Sequence, residues 1–368
     1  MRVLVALISL ALIFLLLAEF FVVFLLPRRV KRDPRIARRV FGGLWRPWRA
    51  IARRVSPVGA DTLLGLFGPL GLLAILAALS LGVILGFSGL HWANSSHFGG
   101  RSGSAATVPG GLYFSSGAFF SASTSAPGDG LGKALQVAEA ATGFAFLAIA
   151  IGYLPALFQA FSRRETAVSR LDPRAGSPPT PGALLERSGA RGGWKELDEY
   201  LREWESWAAE LMETHLSYPM LAYYRSQHVN QNWLAALTTI VDACAFAIAF
   251  GPEDAVEAAE LTFAIGRHAL ADLSHTIVRR RRPPPPYDGN RRLGDESLAE
   301  LCSRLEGSGL HTAPTDTARS RLMELRASYE PNAIILSDWL ALPLPGWLQG
   351  DDQREYWRTS HGHSQALP

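Results

Sequence analysis

Lysine is nearly absent from this 368-residue chain: Lys31, Lys133 and Lys195 are the only three among 36 basic residues, and the only cysteines are Cys244 and Cys302. Two cysteines build no disulfide framework, which excludes a small, stapled secreted fold. Charge of either sign is missing from residues 62–100, and between Lys133 and Arg163 only Glu139 interrupts a second run without Asp, Glu, Lys or Arg. A charged fraction of 19% is ordinary for a soluble protein, but charge withheld from whole segments is not, so a purely soluble chain is excluded. The formal net charge of +3 is local in origin. Eleven basic residues crowd between Arg28 and Arg54 with Asp33 as the sole acid, whereas residues 163–368 carry 22 basic and 28 acidic side chains. That acidic balance argues against a nucleic-acid partner. A nucleophile elbow, a phosphate-binding glycine loop and a nucleotide fingerprint are also lacking, so neither an enzymatic activity nor a cofactor is expected.

What is present is apolar sequence of membrane length. Residues 3–26 give 24 positions with one charge, enough at 1.5 Å per residue to cross a ~30 Å hydrocarbon core, and they run into Pro27 and a basic stretch rather than a small-residue cleavage site. A retained N-terminal transmembrane helix (1–27) is expected. Glu19 inside it reads as a protonated or headgroup-reaching carboxylate rather than a functional one. The basic loop (28–61) should stay cytoplasmic because Arg/Lys bias sets orientation, which puts the N-terminus outside. A second helix within 62–93 returns outward, and a third within 134–161 comes back in and ends at Arg163-Arg164. The expected localisation is therefore multi-pass in the inner (plasma) membrane, with the lipid bilayer as partner.

Between the last two helices, Gly111-Leu112-Tyr113-Phe114-Ser115-Ser116-Gly117-Ala118-Phe119-Phe120 is too apolar for a solvated loop and precedes a Ser-rich segment. Non-helical backbone at membrane depth persists only where it is buried in protein or lines a water-filled cavity. The order of basic loop, helix, re-entrant aromatic-Ser segment, helix and cytoplasmic tail resembles the pore module of the bacterial two-transmembrane potassium channels over residues 62–162. In that family YFS belongs to the pore helix, here carried by Tyr113, Phe114, Ser115, Phe119 and Phe120. The resemblance implies an all-α membrane protein with an N-terminal anchor helix, a two-helix plus re-entrant pore-loop module and an α-helical cytoplasmic domain. It implies a homotetramer passing monovalent cations, K+ or Na+.

The filter departs from the family pattern of Thr-Val/Leu-Gly-Tyr/Phe/Leu-Gly-Asp. Anchored on YFS, it is Ser121-Ala122-Ser123-Thr124-Ser125-Ala126, with serine at both glycine positions and alanine for the aspartate. Anchored on Gly128-Asp129, it is Thr124-Ser125-Ala126-Pro127-Gly128-Asp129, with extra residues after YFS. The first register is preferred because YFS and both phenylalanines fall into place without a gap. A left-handed backbone position costs roughly 1–2 kcal/mol when it carries a Cβ, and two positions in four subunits cost on the order of 10 kcal/mol. In the second register Pro127 fixes its own φ and biases Ala126 toward extended angles. Neither register makes a standard potassium filter. The hydroxyls of Ser121, Ser123, Thr124 and Ser125 suit a weakly selective cation pore, and a non-conducting receptor or scaffold that signals through its tail is the alternative. On the third helix Gly143, Gly152 and Pro155 are either the inner-helix hinge of the gate or close-packing positions.

The remainder divides into a linker (163–183), a helical cytoplasmic domain (184–350) and a flexible C-terminal tail (351–368). Helical spacing runs from Leu184 to His215, and residues 253–278 form another helix. The apolar run Trp233–Phe250 contains Asp242 and is read as a core helix, because a fourth crossing would carry Arg279 to Arg282 outside. His268, Asp272 and His275 share one helical face, but no paired-cysteine or His-Glu-x-x-His spacing accompanies them, so no metal centre is expected.

Overall fold

The computed structural model describes residues 1–26, 36–95, 108–122, 126–226, 231–278, 286–312 and 314–349, with the side chains of 36–38 and 57–58 left aside. The regular elements are helices: α1 (Arg2–Phe24), α2 (Ile36–Ala52), α3 (Pro57–Ala93), α4 (Val108–Phe119), α5 (Gly130–Ala175), α6 (Pro181–Ser217), α7 (Trp233–Phe250), α8 (Glu257–Ile277), α9 (Asp295–Ser308) and α10 (Asp316–Leu340). The protein is thus all-α, and α1, α3, α5 and α7 are long and apolar enough to cross a membrane. Two units, Met1–Gln159 and Ala160–Pro368, each hold their own core.

In the first unit, α3 is the spine. Gly82, Gly86 and Gly89 turn one face of it into a groove, and Leu16, Ile13 and Ser9 of α1 lie where a Cβ would stand, at 2.6, 2.5 and 2.2 Å. Small residues let membrane helices approach this closely and gain dispersion contacts along their length. Glu19 of α1 is buried within the unit at 8% exposure. The basic loop expected over 28–61 contains a helix instead. Phe41 and Trp45 of α2 lie one turn apart and bury against Phe67 of α3, with ring centroids at 4.8 and 4.7 Å. Trp48 donates its indole N–H to the Leu63 carbonyl at 2.8 Å. The density of arginines hid this apolar face in the sequence.

The second unit forms around α7, of which 16 of 18 residues are buried, packed by α6, α8 and α10. Its charge, Asp242, is neutralised inside the core: Arg292 donates to its two carboxylate oxygens at 3.1 and 2.5 Å, and the Tyr329 hydroxyl donates to it as well. The predicted linker is mostly helix. α5 continues to Ala175 because Arg164, Val168, Leu171, Asp172 and Ala175 recur on one buried face, leaving only residues 176–180 before α6. Arg164 is buried there and donates to the Leu221 and Tyr224 carbonyls at 3.0 and 2.8 Å, with His215 Nε2 at 3.3 Å. The helix expected over 253–278 starts later: residues Glu253–Ala255 make a short 3-10 turn before α8. The expected tail 351–368 lies outside the described residues.

Candidate pore segment and its supporting cluster

Helix α4 is short and two-faced. Gly111, Phe114, Ser115, Ala118 and Phe119 recur every three or four residues and are buried, while Tyr113 and Phe120, seven residues apart, are 81% and 69% exposed. The five residues named from the YFS motif therefore split between two faces: Phe114, Ser115 and Phe119 hold α4 in the unit, and Tyr113 and Phe120 point out of it. Gly111 lets the helix close on α3, with Ser88 Oγ 3.1 Å from where a Cβ would stand.

The chain leaves α4 through a left-handed residue. The Ala122 N–H donates to the Gly117 carbonyl at 2.8 Å and the Ser121 N–H to the Ala118 carbonyl at 3.1 Å, with Ser121 at φ 54°. This is the Schellman closure of a helix, in which glycine is the usual left-handed residue. Serine there carries a strain of roughly 1–2 kcal/mol. Ser121 and Ala122, the first two residues of the YFS-anchored filter, thus end the helix, while Ser123, Thr124 and Ser125 lie outside the described residues. The chain resumes at Ala126, Pro127 and Gly128. Asp129, the final residue of the alternative register, caps α5: its carboxylate accepts from the Gly132 N–H at 2.7 Å and from Asn94 Nδ2 at 2.6 Å, which ties the start of α5 to the end of α3.

Behind α4, three helices bring polar groups into an apolar interior. His91 of α3, Ser115 of α4 and Glu139 of α5 are all fully buried, and His91 Nε2 lies 3.6 Å from Glu139 Oε2. The His91 ring meets Phe114 edge-on at 5.1 Å. The Glu139 carboxylate thus faces the His91 ring and the Ser115 hydroxyl in a pocket closed to solvent. The sequence marked Glu139 as the one charge in its run, and nothing in its spacing identified His91 or Ser115 as neighbours.

The expected hinge residues separate. A Cβ on Gly143 would stand 1.8 Å from the Phe119 carbonyl oxygen, so this glycine seats the end of α4 against α5. Nothing lies within 4 Å of a Cβ at Gly152. Pro155 lies within the continuous helix α5. Phe146 stacks on Phe20 at 3.8 Å and Tyr153 meets Phe24 at 4.8 Å, which packs this length of α5 onto α1. In the second unit His268 pairs with Asp272 at 3.6 Å on α8, and His275 of that helix is exposed. Comparison with known protein families, curated proteins and solved structures finds no match for this chain.

Proposed function

We propose that the chain is one subunit of a potassium-channel-like cation pore, assembled as a homotetramer in the plasma membrane, with a filter that separates potassium from sodium weakly. One observation carries the reading: a short apolar helix, α4, stands between two membrane-length helices and seats on both, on α3 through Gly111 and on α5 through Gly143. Directly after it the chain turns through a left-handed residue into a hydroxyl-rich stretch. One such segment walls only a fraction of a pore, so copies must associate to enclose one. Arginine bias places residues 94–132 outside and both 28–54 and 163–368 in the cytoplasm.

The alternative, a non-conducting receptor or scaffold, is favoured by one feature: no glycine occurs between Gly117 and Gly128, so the backbone there lacks the freedom that stacked filter carbonyls need. Flux through reconstituted protein in potassium, sodium and an impermeant cation separates the two readings. Weak discrimination is expected, and Ser123→Gly with Thr124→Tyr, Ser125→Gly and Ala126→Asp should raise potassium preference, whereas Ala126→Gly with Pro127→Tyr tests the other register. Strong potassium selectivity in the unaltered chain would refute the steric argument, and absence of flux in every variant would leave the receptor reading.

A further inference from the structure

The first unit contains a helix with three distinct faces. On α2, Phe41, Trp45 and Ala52 are buried. Arg39, Arg46 and Arg53 follow one another at intervals of seven, and Arg53 continues the helical path because its N–H donates to the Arg49 carbonyl at 3.1 Å. Leu44 and Ile51 are likewise seven apart, and they are 41% and 55% exposed. At about 100° per residue these two lines lie on nearly opposite flanks, with the buried line between them. Arg39 and Arg53 are exposed and make no ion pair among the described residues.

The contacts of α2 fix its level along the membrane-length helices. Residues 62–93 of α3 lack Asp, Glu, Lys and Arg and run for about 48 Å, well beyond a ~30 Å hydrocarbon core. Helix α1 shows at which end the excess lies. It runs antiparallel to α3, Leu16 meeting Gly82 and Ser9 meeting Gly89, and it ends at Phe24. Eight residues on from Leu16, that end is level with about residue 74 of α3. Helix α2 packs on the stretch of α3 beyond it: the Phe41 ring lies 2.5 Å from where a Cβ on Gly71 would stand, and Trp48 bonds the Leu63 carbonyl. The arginine flank and the apolar flank of α2 therefore stand where acyl chains give way to headgroups.

We propose that α2 binds anionic phospholipids, its arginine flank pairing with their phosphates while Leu44 and Ile51 rest against their acyl chains. A polybasic segment beside a membrane helix is drawn to anionic lipid, and an amphipathic helix adds apolar contact to that attraction. An acidic protein surface would meet the arginines and leave Leu44 and Ile51 uncovered. Zwitterionic lipid would cover the apolar flank, but its own ammonium competes with the arginines for the phosphate. The inference rests on α1 and α3 crossing the bilayer and not on the pore reading, because lipid contact is measured whether or not ions pass.

The test uses the full chain with Leu44→Cys, labelled with bimane, in nanodiscs of phosphatidylcholine and phosphatidylglycerol. Native Cys244 and Cys302 are buried and stay unlabelled. A nitroxide on the acyl chain of one lipid or the other, at equal mole fraction, quenches the dye when that lipid is adjacent. The ratio of the two gives the local preference. Quenching by both is expected, with phosphatidylglycerol preferred at least about fivefold, the effect of a single arginine at the surface. Arg39→Gln with Arg46→Gln and Arg53→Gln should bring the preference within about twofold. Salt at about 0.5 M should lower it with all arginines in place, a readout that stands even where the triple variant fails to fold. Arg191→Gln with Arg267→Gln and Arg319→Gln removes the same charge from exposed positions of the second unit and should leave the preference unchanged. No quenching by either lipid, equal quenching by both, a preference that survives the α2 exchanges or the salt, or one that falls equally in the second-unit variant would each overturn the proposal.

Discussion

Replacing Gly143 by alanine would place a methyl carbon 1.8 Å from the Phe119 carbonyl oxygen, 2.7 Å from its carbonyl carbon and 3.1 Å from its Cα. All three are backbone atoms of the last residue of α4, so no side chain can rotate away, and reaching ordinary contact at 3.4 Å requires α4 and α5 to separate by about 1.6 Å. Overpacking of this kind costs typically 1–3 kcal/mol, and a backbone obstacle belongs at the upper end. Alanine returns about 1 kcal/mol through better helix propensity, which leaves a net loss of roughly 2 kcal/mol per subunit. Gly152→Ala is the internal control. Nothing lies within 4 Å of its new Cβ, so the propensity term acts alone and stability should rise by about 0.5–1 kcal/mol. Unfolding of the two variants in mixed micelles by increasing dodecyl sulfate, followed by tryptophan fluorescence, should therefore shift in opposite directions. A Gly143→Ala protein as stable as the parent would refute the reasoning. Reduced flux in the stabilised Gly152→Ala protein would make that residue a hinge of the gate, while unchanged flux would make it ordinary helix.

Asp242→Ala should destabilise the second unit, expressed as residues 160–349, by about 3 kcal/mol in guanidinium unfolding, because Arg292 loses its bidentate carboxylate and keeps only the longer pairing with Glu330, at 3.8 Å. Tyr329→Phe removes one hydrogen bond to that carboxylate and should cost only about 1.5–3 kcal/mol. Burial, and next the Arg164 guanidinium, hold the His215 imidazole well below its ordinary value of 6.5. The folded chain then binds fewer protons there than the unfolded one, so this contribution to stability is fully present above about pH 6.5 and is lost as the pH falls through the depressed folded value. His215→Gln should flatten that part of the stability–pH curve, and an unchanged slope would remove His215 as its cause. With native Cys244 and Cys302 buried, Ser102→Cys should react with a membrane-impermeant thiol reagent in intact cells. Lys195→Cys, at a position whose side chain is 85% exposed, should not, and its labelling would invert the proposed topology.

The membrane-length helices and the all-helical class were legible in the sequence because burying backbone in lipid demands a long run without charge, and that demand is local. Runs such as 62–93 satisfy it on their own. The short helix over residues 111–120 was legible from its apolar content and its resemblance to a pore helix, and the structure starts it at Val108. The boundaries failed where charge overlay an apolar stripe. Residues 36–52 looked like a basic loop until Phe41 and Trp45 found Phe67, and residues 163–175 looked like a linker until Val168 and Leu171 found a core.

What the sequence could not determine was which residues would meet. Asp242 was visible as a charge inside an apolar run, but its partner Arg292 lies fifty positions away and no periodicity joins them. Glu139 was equally conspicuous, yet only tertiary packing brings His91 and Ser115 to it from two other helices. Gly143 illustrates the same division. A glycine in an apolar helix is consistent with bending or with close approach, because both use the missing side chain, and the choice at this position is made by the Phe119 carbonyl lying where a Cβ would be. Local chemistry determined the long charge-free helices, while the helices under charged stretches and the identity of each buried neighbour depended on long-range packing that a one-dimensional pattern does not encode.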